Sequence, residues 1–361
     1  MEICVHLQRK NDVLAKAKTH NMKRLSLFVM AVMAAAVAPM SVYAIDKNTV
    51  EVVFNGTTAT VTIADNISSY VTCSSGTSSH VVLVQNSDFA GVDASADNED
   101  GEIIYSLKGT SSDGQFYMEG SYKCTVELNG LTLTNTSGPA ICVMNGKRVS
   151  VSVKKNTTNT LADAADEDYK GCFHSKGHTK FKGKGTLNIA GNYAHAIYSK
   201  EYVEVKNVTL NIAAAVKDGI HCKEYFLMES GTLNISNVGD DGIQVELDGA
   251  ASTGAISDHE DEDSGNFYQE DGTLKISNWG SKAIKADGTV TKDDGTWSGF
   301  TRDDIAENNA TVGIGATQAT SLSATSEAIF DIQGRKVARE QMKRGVYVVR
   351  NGQNVQKINA R

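Results

Sequence analysis

Thr186-Leu187-Asn188-Ile189, Thr209-Leu210-Asn211-Ile212, Thr232-Leu233-Asn234-Ile235 and Thr273-Leu274-Lys275-Ile276 are four versions of one short segment. Leu187 to Leu210 and Leu210 to Leu233 are both 23 residues, and Leu233 to Leu274 is 41, the same interval plus an insertion of 18. A second column, Ile197, Ile220, Ile243 and Ile284, repeats the spacing of 23, 23 and 41. Two columns that share both a period and an insertion mark a stacked-repeat architecture.

Within each repeat, apolar and polar residues alternate over four or five positions, the period of a half-buried strand. Leu187 and Ile189 are expected to face inward, with Thr186 and Asn188 outward. A second strand is read at Ile197-Tyr198-Ser199-Lys200, Ile220-His221-Cys222-Lys223 and Ile243-Gln244-Val245-Glu246. A third follows at Tyr202-Val203-Glu204-Val205 and Tyr225-Phe226-Leu227-Met228. Three short strands in about 23 residues predict one rung of an all-β, right-handed parallel β-helix. Leucine-rich and helical repeats are set aside, since their spacings and any helical periodicity are missing.

Outside the repeats, Thr60-Val61-Thr62-Ile63 and its neighbours read as strands capping the solenoid. Gly130-Leu131-Thr132-Leu133 with Ala140-Ile141-Cys142-Val143 reads as a diverged early rung. Residues 157–168 read as a polar, acidic excursion, and 250–265 as the acidic insertion. The expected organisation is an extension and signal peptide over 1–44, a β-helix over 45–290, a linker over 291–327 and a small β-unit over 328–361.

The N-terminal reading rests on Met22-Lys23-Arg24 as a basic start, an apolar run from Leu25 to Val37, and small residues at Val42 and Ala44. This predicts a secretory signal peptide cleaved after Ala44, with the mature chain secreted or at the cell surface. The 361-residue chain carries a formal charge of −8. Residues 1–44 hold six Lys/Arg against two Asp/Glu, so the remainder is more acidic still, at −12. No basic face survives for nucleic acid, and a membrane is met only through the export machinery. The cysteines Cys73, Cys124, Cys142, Cys172 and Cys222 form neither a disulfide framework nor a CxxC metal pair. Cys222 is expected as a buried thiol, in an inward column with Ser199 and Val245.

Two outward columns carry the candidate chemistry. One holds His174, Tyr198, His221 and Gln244; the other holds Lys176, Lys200, Lys223, Glu246 and Asp287. Rungs stack at about 4.8 Å, so three lysines in a row repel one another, and stability alone does not favour them. Such a strip suits an acidic polysaccharide, with carboxylates on lysine and a sugar face on Tyr198; a solvated face is the competing reading. The bends before the isoleucine column carry Asp218-Gly219 and Asp240-Asp241-Gly242. Asp-Gly is a turn signal. Yet carboxylates repeated one rung apart can also share calcium (Ca²⁺), with Glu246 and Asp248 as further ligands.

Catalysis is less well supplied. Residues 170–287 contain no arginine, so only the lysine column could serve as the base of a lyase. Asp240, Asp241 and Glu246 are crowded for a glycosidase pair, and no catalytic residue is assigned. The order Gly-Thr-Leu-x-Ile, then Asp-Gly-Ile, then a short strand resembles the carbohydrate-binding β-helix family of clostridial cell-surface proteins. Residues 126–133 and 140–141 resemble the early rungs of that family. The resemblance implies a pectate-lyase-like fold, bound calcium and binding of cellulose or acidic plant polysaccharide without cleavage. His195-Ala196 and Lys282-Ala283 depart from Asp-Gly, leaving Asp218, Asp240 and Asp241 as the ion-binding candidates.

The C-terminal unit, with Asp331-Ile332-Gln333-Gly334-Arg335-Lys336-Val337 and Gly345-Val346-Tyr347-Val348-Val349, resembles the sorting domain of the type IX secretion system in Bacteroidetes. Two alternatives to a binding protein stay open: a calcium-dependent polysaccharide lyase or other glycan-active β-helix, and a structural surface adhesin.

Overall fold

The structure, a computed structural model, describes residues 45–86, 102–247 and 265–308, together with strands of a C-terminal unit between 328 and 360. The predicted signal peptide, the acidic insertion apart from Gly265, and Asp248 lie outside the described residues. Among the described residues no helix is long and apolar enough to cross a membrane.

The chain winds as a parallel β-helix. One sheet stacks Ile141–Asn145, Gly171–Ser175, His195–Ser199, Ile220–Lys223, Ile243–Glu246, Ile284–Ala286 and Ile305–Glu307. A second stacks Thr158–Ala162, Thr186–Gly191, Thr209–Ala215, Thr232–Val238, Thr273–Trp279 and Thr296–Ser298. A third stacks Val149–Val153, Thr179–Gly183, Val203–Lys206, Tyr225–Met228, Asn266–Gln269 and Val290–Lys292. The second and third merge through the long strand Cys124–Thr134. Its first half pairs with Val149–Val153, and its second half with Thr158–Ala162. Gly130 lies between the halves with φ +78°, a conformation that glycine adopts without cost.

The repeat register is the one the spacing implies. Leu187 pairs in turn with Leu210, Leu233 and Leu274, and Ile220 with Ile197 and Ile243. The 41-residue interval therefore leaves the ladder in phase. These leucines are fully buried, each worth about 2 kcal/mol relative to exposure. Phe226 and Phe267 stack one rung apart at 5.1 Å in the same interior. On the outer face Asn211 donates to Asn188 at 2.8 Å and Asn234 to Asn211 at 2.8 Å. Asn188, Asn211 and Asn234 thus form an amide ladder. Asn207, Asn237 and Asn278 turn corners with φ between 55° and 59°, the region where asparagine is the least costly residue after glycine.

Two sequence expectations need correction. The solenoid does not stop at 290: Val290–Lys292, Thr296–Ser298 and Ile305–Glu307 add a strand to each sheet. Short, polar final strands hid this rung. Residues 157–168 are not wholly an excursion, because Thr158–Ala162 pairs with Thr186–Gly191. There Asn159 occupies the leucine column, fully buried, and interrupts the apolar pattern. Its Oδ1 accepts the N–H groups of Gly130 and Leu131 at 2.9 and 2.8 Å, which is what makes an interior amide tolerable. Finally, no disulfide forms among Cys73, Cys124, Cys142, Cys172 and Cys222, and Cys222 is a buried thiol as expected.

The N-terminal end is closed by antiparallel pairing of Thr49–Asn55 with Thr58–Ile63 and of Val71–Cys73 with His80–Gln85. Such pairing ends a parallel ladder and blunts its edge. The C-terminal unit is a four-stranded sheet in which Ala328–Asp331, Lys336–Val337, Gly345–Asn351 and Asn354–Ala360 pair antiparallel.

Candidate functional site: a carboxylate bend beside a lysine strip

The bends that lead into the isoleucine sheet place His195, Asp218, Asp241 and Lys282 in one column, a rung apart. Each of the first three accepts a backbone N–H from the rung above. His195 Nδ1 takes that of Asp218 at 3.2 Å, Asp218 Oδ1 that of Asp241 at 2.9 Å, and Asp241 Oδ1 that of Lys282 at 2.9 Å. Asp-Gly is therefore a turn device here: one carboxylate oxygen per bend stitches rung to rung.

The second oxygens differ. Asp218 Oδ2 lies 2.9 Å from His221 Nδ1 and 3.1 Å from His195 Nδ1. Burial alone would raise the Asp218 pKa, but these imidazole contacts reverse the balance and hold it well below the usual carboxylate range. Asp241 is fully buried, and its Oδ2 has no hydrogen bond; Lys285 Nζ stands 3.5 Å away. Burial, with Asp218 and Asp240 nearby, pushes the Asp241 carboxyl up despite a contact from Ser281. Oxygens of Asp218, Asp240 and Asp241 come within 4.8 Å of one another, with Asp240 exposed. That is a donor set of oxygens with one orphaned member, which fits a hard divalent cation.

Glu246 does not join this group. Its Oε2 lies 3.4 Å from His221 Nε2, across the imidazole ring from Asp218. The strand Ile243–Glu246 carries it away from the bend that precedes the strand. Of the five proposed ion ligands, three converge, Glu246 is diverted to His221, and Asp248 lies outside the described residues.

His174, Tyr198 and His221 occupy one column, as expected. They are not an open sugar platform. His174 stacks on Tyr198 at 5.1 Å and Tyr198 on His221 at 5.4 Å, so rung spacing uses up the ring faces. Tyr169 packs edge-on to His174, and the Lys170 ammonium sits 5.5 Å from the Tyr198 centroid. All three rings are under 10 % exposed, at 8, 7 and 7 %. Burial, with Lys170 and His195 close by, pushes the His174 pKa down to about 4. Lys170 and Tyr169 come from the segment before Gly171–Ser175, whose sequence offers no repeat signal to reveal them.

Lys176 and Lys200 are exposed and Lys223 is half-buried. The Lys176 N–H reaches the Val143 carbonyl, and the Lys200 N–H the Ser175 carbonyl, so successive rungs bring them to one edge. Lys223 pairs in register with Glu246, which ends the basic run.

A parallel β-helix with stitched acidic bends and a lysine edge is the class that fold and site define. Residues 96–346 match the family of carbohydrate-binding domain-containing proteins, and the chain belongs to that family. A comparison with curated proteins finds no significant match in sequence. Among solved structures, the chain is similar to a polysaccharide lyase-like protein from C. thermocellum, solved as a gadolinium derivative. The TM-score is 0.53 at 18 % identity, covering 72 % of this chain and 99 % of that one. The likeness supports the β-helix fold. Family membership assigns the chain carbohydrate binding.

Proposed function

We propose that this protein is an exported, calcium-holding β-helix that binds an acidic plant-type polysaccharide along its lysine edge without cleaving it. The observation that carries the reading is the fully buried, unbonded Asp241 Oδ2 converging with Asp218 and the exposed Asp240. An ionised carboxylate oxygen shielded from water, with no hydrogen bond and only the Lys285 ammonium at 3.5 Å, is poorly compensated, and a cation supplies the missing interaction. Calcium held there would fix the bends that precede the strands bearing Lys223 and Glu246. Uronate carboxylates then lie across Lys176, Lys200 and Lys223; with Tyr198 taken up in its own ring stack, sugar contacts fall to the lysine edge. The apolar leader before Ile45 supports export, and the C-terminal sheet is assigned to type IX sorting on its two motifs.

The experiment is binding of the mature chain to polygalacturonate, with calcium and then with chelator. Saturable binding that is lost on chelation, with the polymer left at full length, supports the proposal. Absence of binding to polygalacturonate and to cellulose in both conditions overturns it in favour of a structural adhesin.

One observation favours a second reading. Asp218 orients His221 through Nδ1, leaving Nε2 facing outward toward Glu246 at 3.4 Å, an arrangement able to relay a proton. A glycan-active enzyme built on it would shorten the polymer or release unsaturated products, detected by reducing ends and ultraviolet absorbance.

A further inference from the structure

His178, Glu201 and Glu224 converge at the other end of the same strands. The Asp218 bend precedes Ile220–Lys223, and Glu224 follows it. His178 Nε2 lies 2.9 Å from Glu201 Oε2 and 3.3 Å from Glu224 Oε2. The three side chains are 10, 13 and 6 % exposed, so all are shielded. They come from three successive rungs. Glu201 and Glu224 share a column 23 residues apart, and His178 stands one position further along, in the column of Tyr202 and Tyr225.

The group is poorly satisfied as a set of hydrogen bonds. His178 Nε2 carries at most one proton and faces two carboxylates. Glu201 Oε2 is at ion-pair distance but makes no hydrogen bond, although solvent does not reach it. With the ring protonated, two carboxylates and one imidazolium still leave one negative charge in a largely dry pocket.

A divalent ion removes both difficulties. It bonds to all three atoms at once, and with a neutral imidazole it brings the cluster to zero net charge. Tetrahedral zinc with bonds of about 2.0–2.1 Å places neighbouring ligand atoms about 3.3 Å apart, close to the separations found here. The imidazole is already oriented: Tyr202 stacks on it at 4.2 Å with an interplanar angle of 8°, and Tyr225 stacks on Tyr202 at 4.6 Å. Outer residues that fix a ligand's ring plane are part of a working metal site.

We propose that His178, Glu201 and Glu224 form a zinc-class site, separate in place and chemistry from the oxygen-only bend at Asp218, Asp240 and Asp241. The mixed nitrogen and carboxylate donors select a borderline transition ion over calcium. The fourth position falls to water or to a second carboxylate oxygen. On binding, Nε2 gives its lone pair to the ion. The two glutamates, with the Tyr202 ring stacked beside them, are the groups that face the imidazole.

The test is a titration of the purified, chelator-stripped protein with zinc in a buffer containing excess calcium. Stoichiometry and affinity are read by calorimetry. Expected are one zinc per chain, and affinity weakened at least tenfold in Glu201→Gln and Glu224→Gln while Asp241→Asn binds normally. Equal affinity in the wild type and both glutamine variants overturns the site, since the zinc then sits elsewhere, for instance on a thiol. No saturable zinc overturns it as well. Should a variant misfold, anomalous scattering at the zinc edge from the wild-type protein decides. A peak between the three side chains upholds the site, and its absence from that position refutes it.

Discussion

Asp218 and His221 meet at 2.9 Å through Oδ2 and Nδ1, both nearly closed to solvent, while the other Asp218 oxygen accepts the Asp241 N–H. One side chain thus joins three successive bends, because His195 also touches it from the rung below. Asp218→Ala strands the Asp241 N–H and the His221 imidazole, and a loss of about 3 kcal/mol is expected in urea unfolding. Asp218→Asn keeps an acceptor for the N–H and costs less. Equal stability of wild type and Asp218→Ala would show that the stitch contributes little.

Asp241 behaves oppositely. Its folded-state pKa lies above the ordinary value, so the metal-free fold carries a penalty for the ionised form, one that grows as pH rises through the unfolded value. Asp241→Asn retains the bond to the Lys282 N–H and removes that penalty. In chelator the variant should be as stable as the wild type or more so. With calcium at a hundredfold over its dissociation constant, only the wild type should gain about 2.7 kcal/mol. Thermal melts of both proteins with calcium and with chelator check the crossover.

At the basic edge, Lys200→Ala combined with Lys223→Ala should weaken polygalacturonate binding roughly tenfold at low salt, with less effect as salt screens the wild type. Circular dichroism should be unchanged. Retained affinity in a folded double variant would remove the strip from the binding face.

Asn159→Leu restores the repeat pattern and, by sequence alone, should stabilise the protein. Geometry predicts the reverse. Leu131 loses its acceptor inside the core and Gly130 loses its own nearer the surface, so a cost of about 1–3 kcal/mol is expected in denaturant melts.

In metal-free protein, His178 has a folded-state pKa raised to about 9 by Glu201 and Glu224 against the opposing effect of burial. Its contribution is fully present below the unfolded value near 6.5 and is lost as pH rises through about 9. The melting temperature of the wild type should fall over this window more steeply than that of His178→Gln. Parallel curves would mean that the imidazole does not titrate with folding.

The repeat was legible because one residue type recurs at one interior position. Leu187, Leu210, Leu233 and Leu274 must each fill the same slot, and burial tolerates few alternatives there. Where interior slots accept other solutions, the reading slipped. Asn159 fills a leucine position because its amide bonds are met, and the last rung hid behind strands of three residues. The bend carboxylates were visible as Asp-Gly, but nothing in the spacing tells which oxygen stitches the backbone and which is left over.

The sequence by itself determined the coil: period, register, inward columns and the insertion that leaves them in phase. These follow from local alternation and repetition, which are properties of a one-dimensional string. Only the tertiary structure decided which outward residues are available. Stacking at rung distance turns His174, Tyr198 and His221 into mutual cover. It leaves Asp241 Oδ2 without a hydrogen bond and draws His178 onto Glu201 and Glu224. Those outcomes depend on side-chain direction and shielding across rungs, quantities that chain order does not encode.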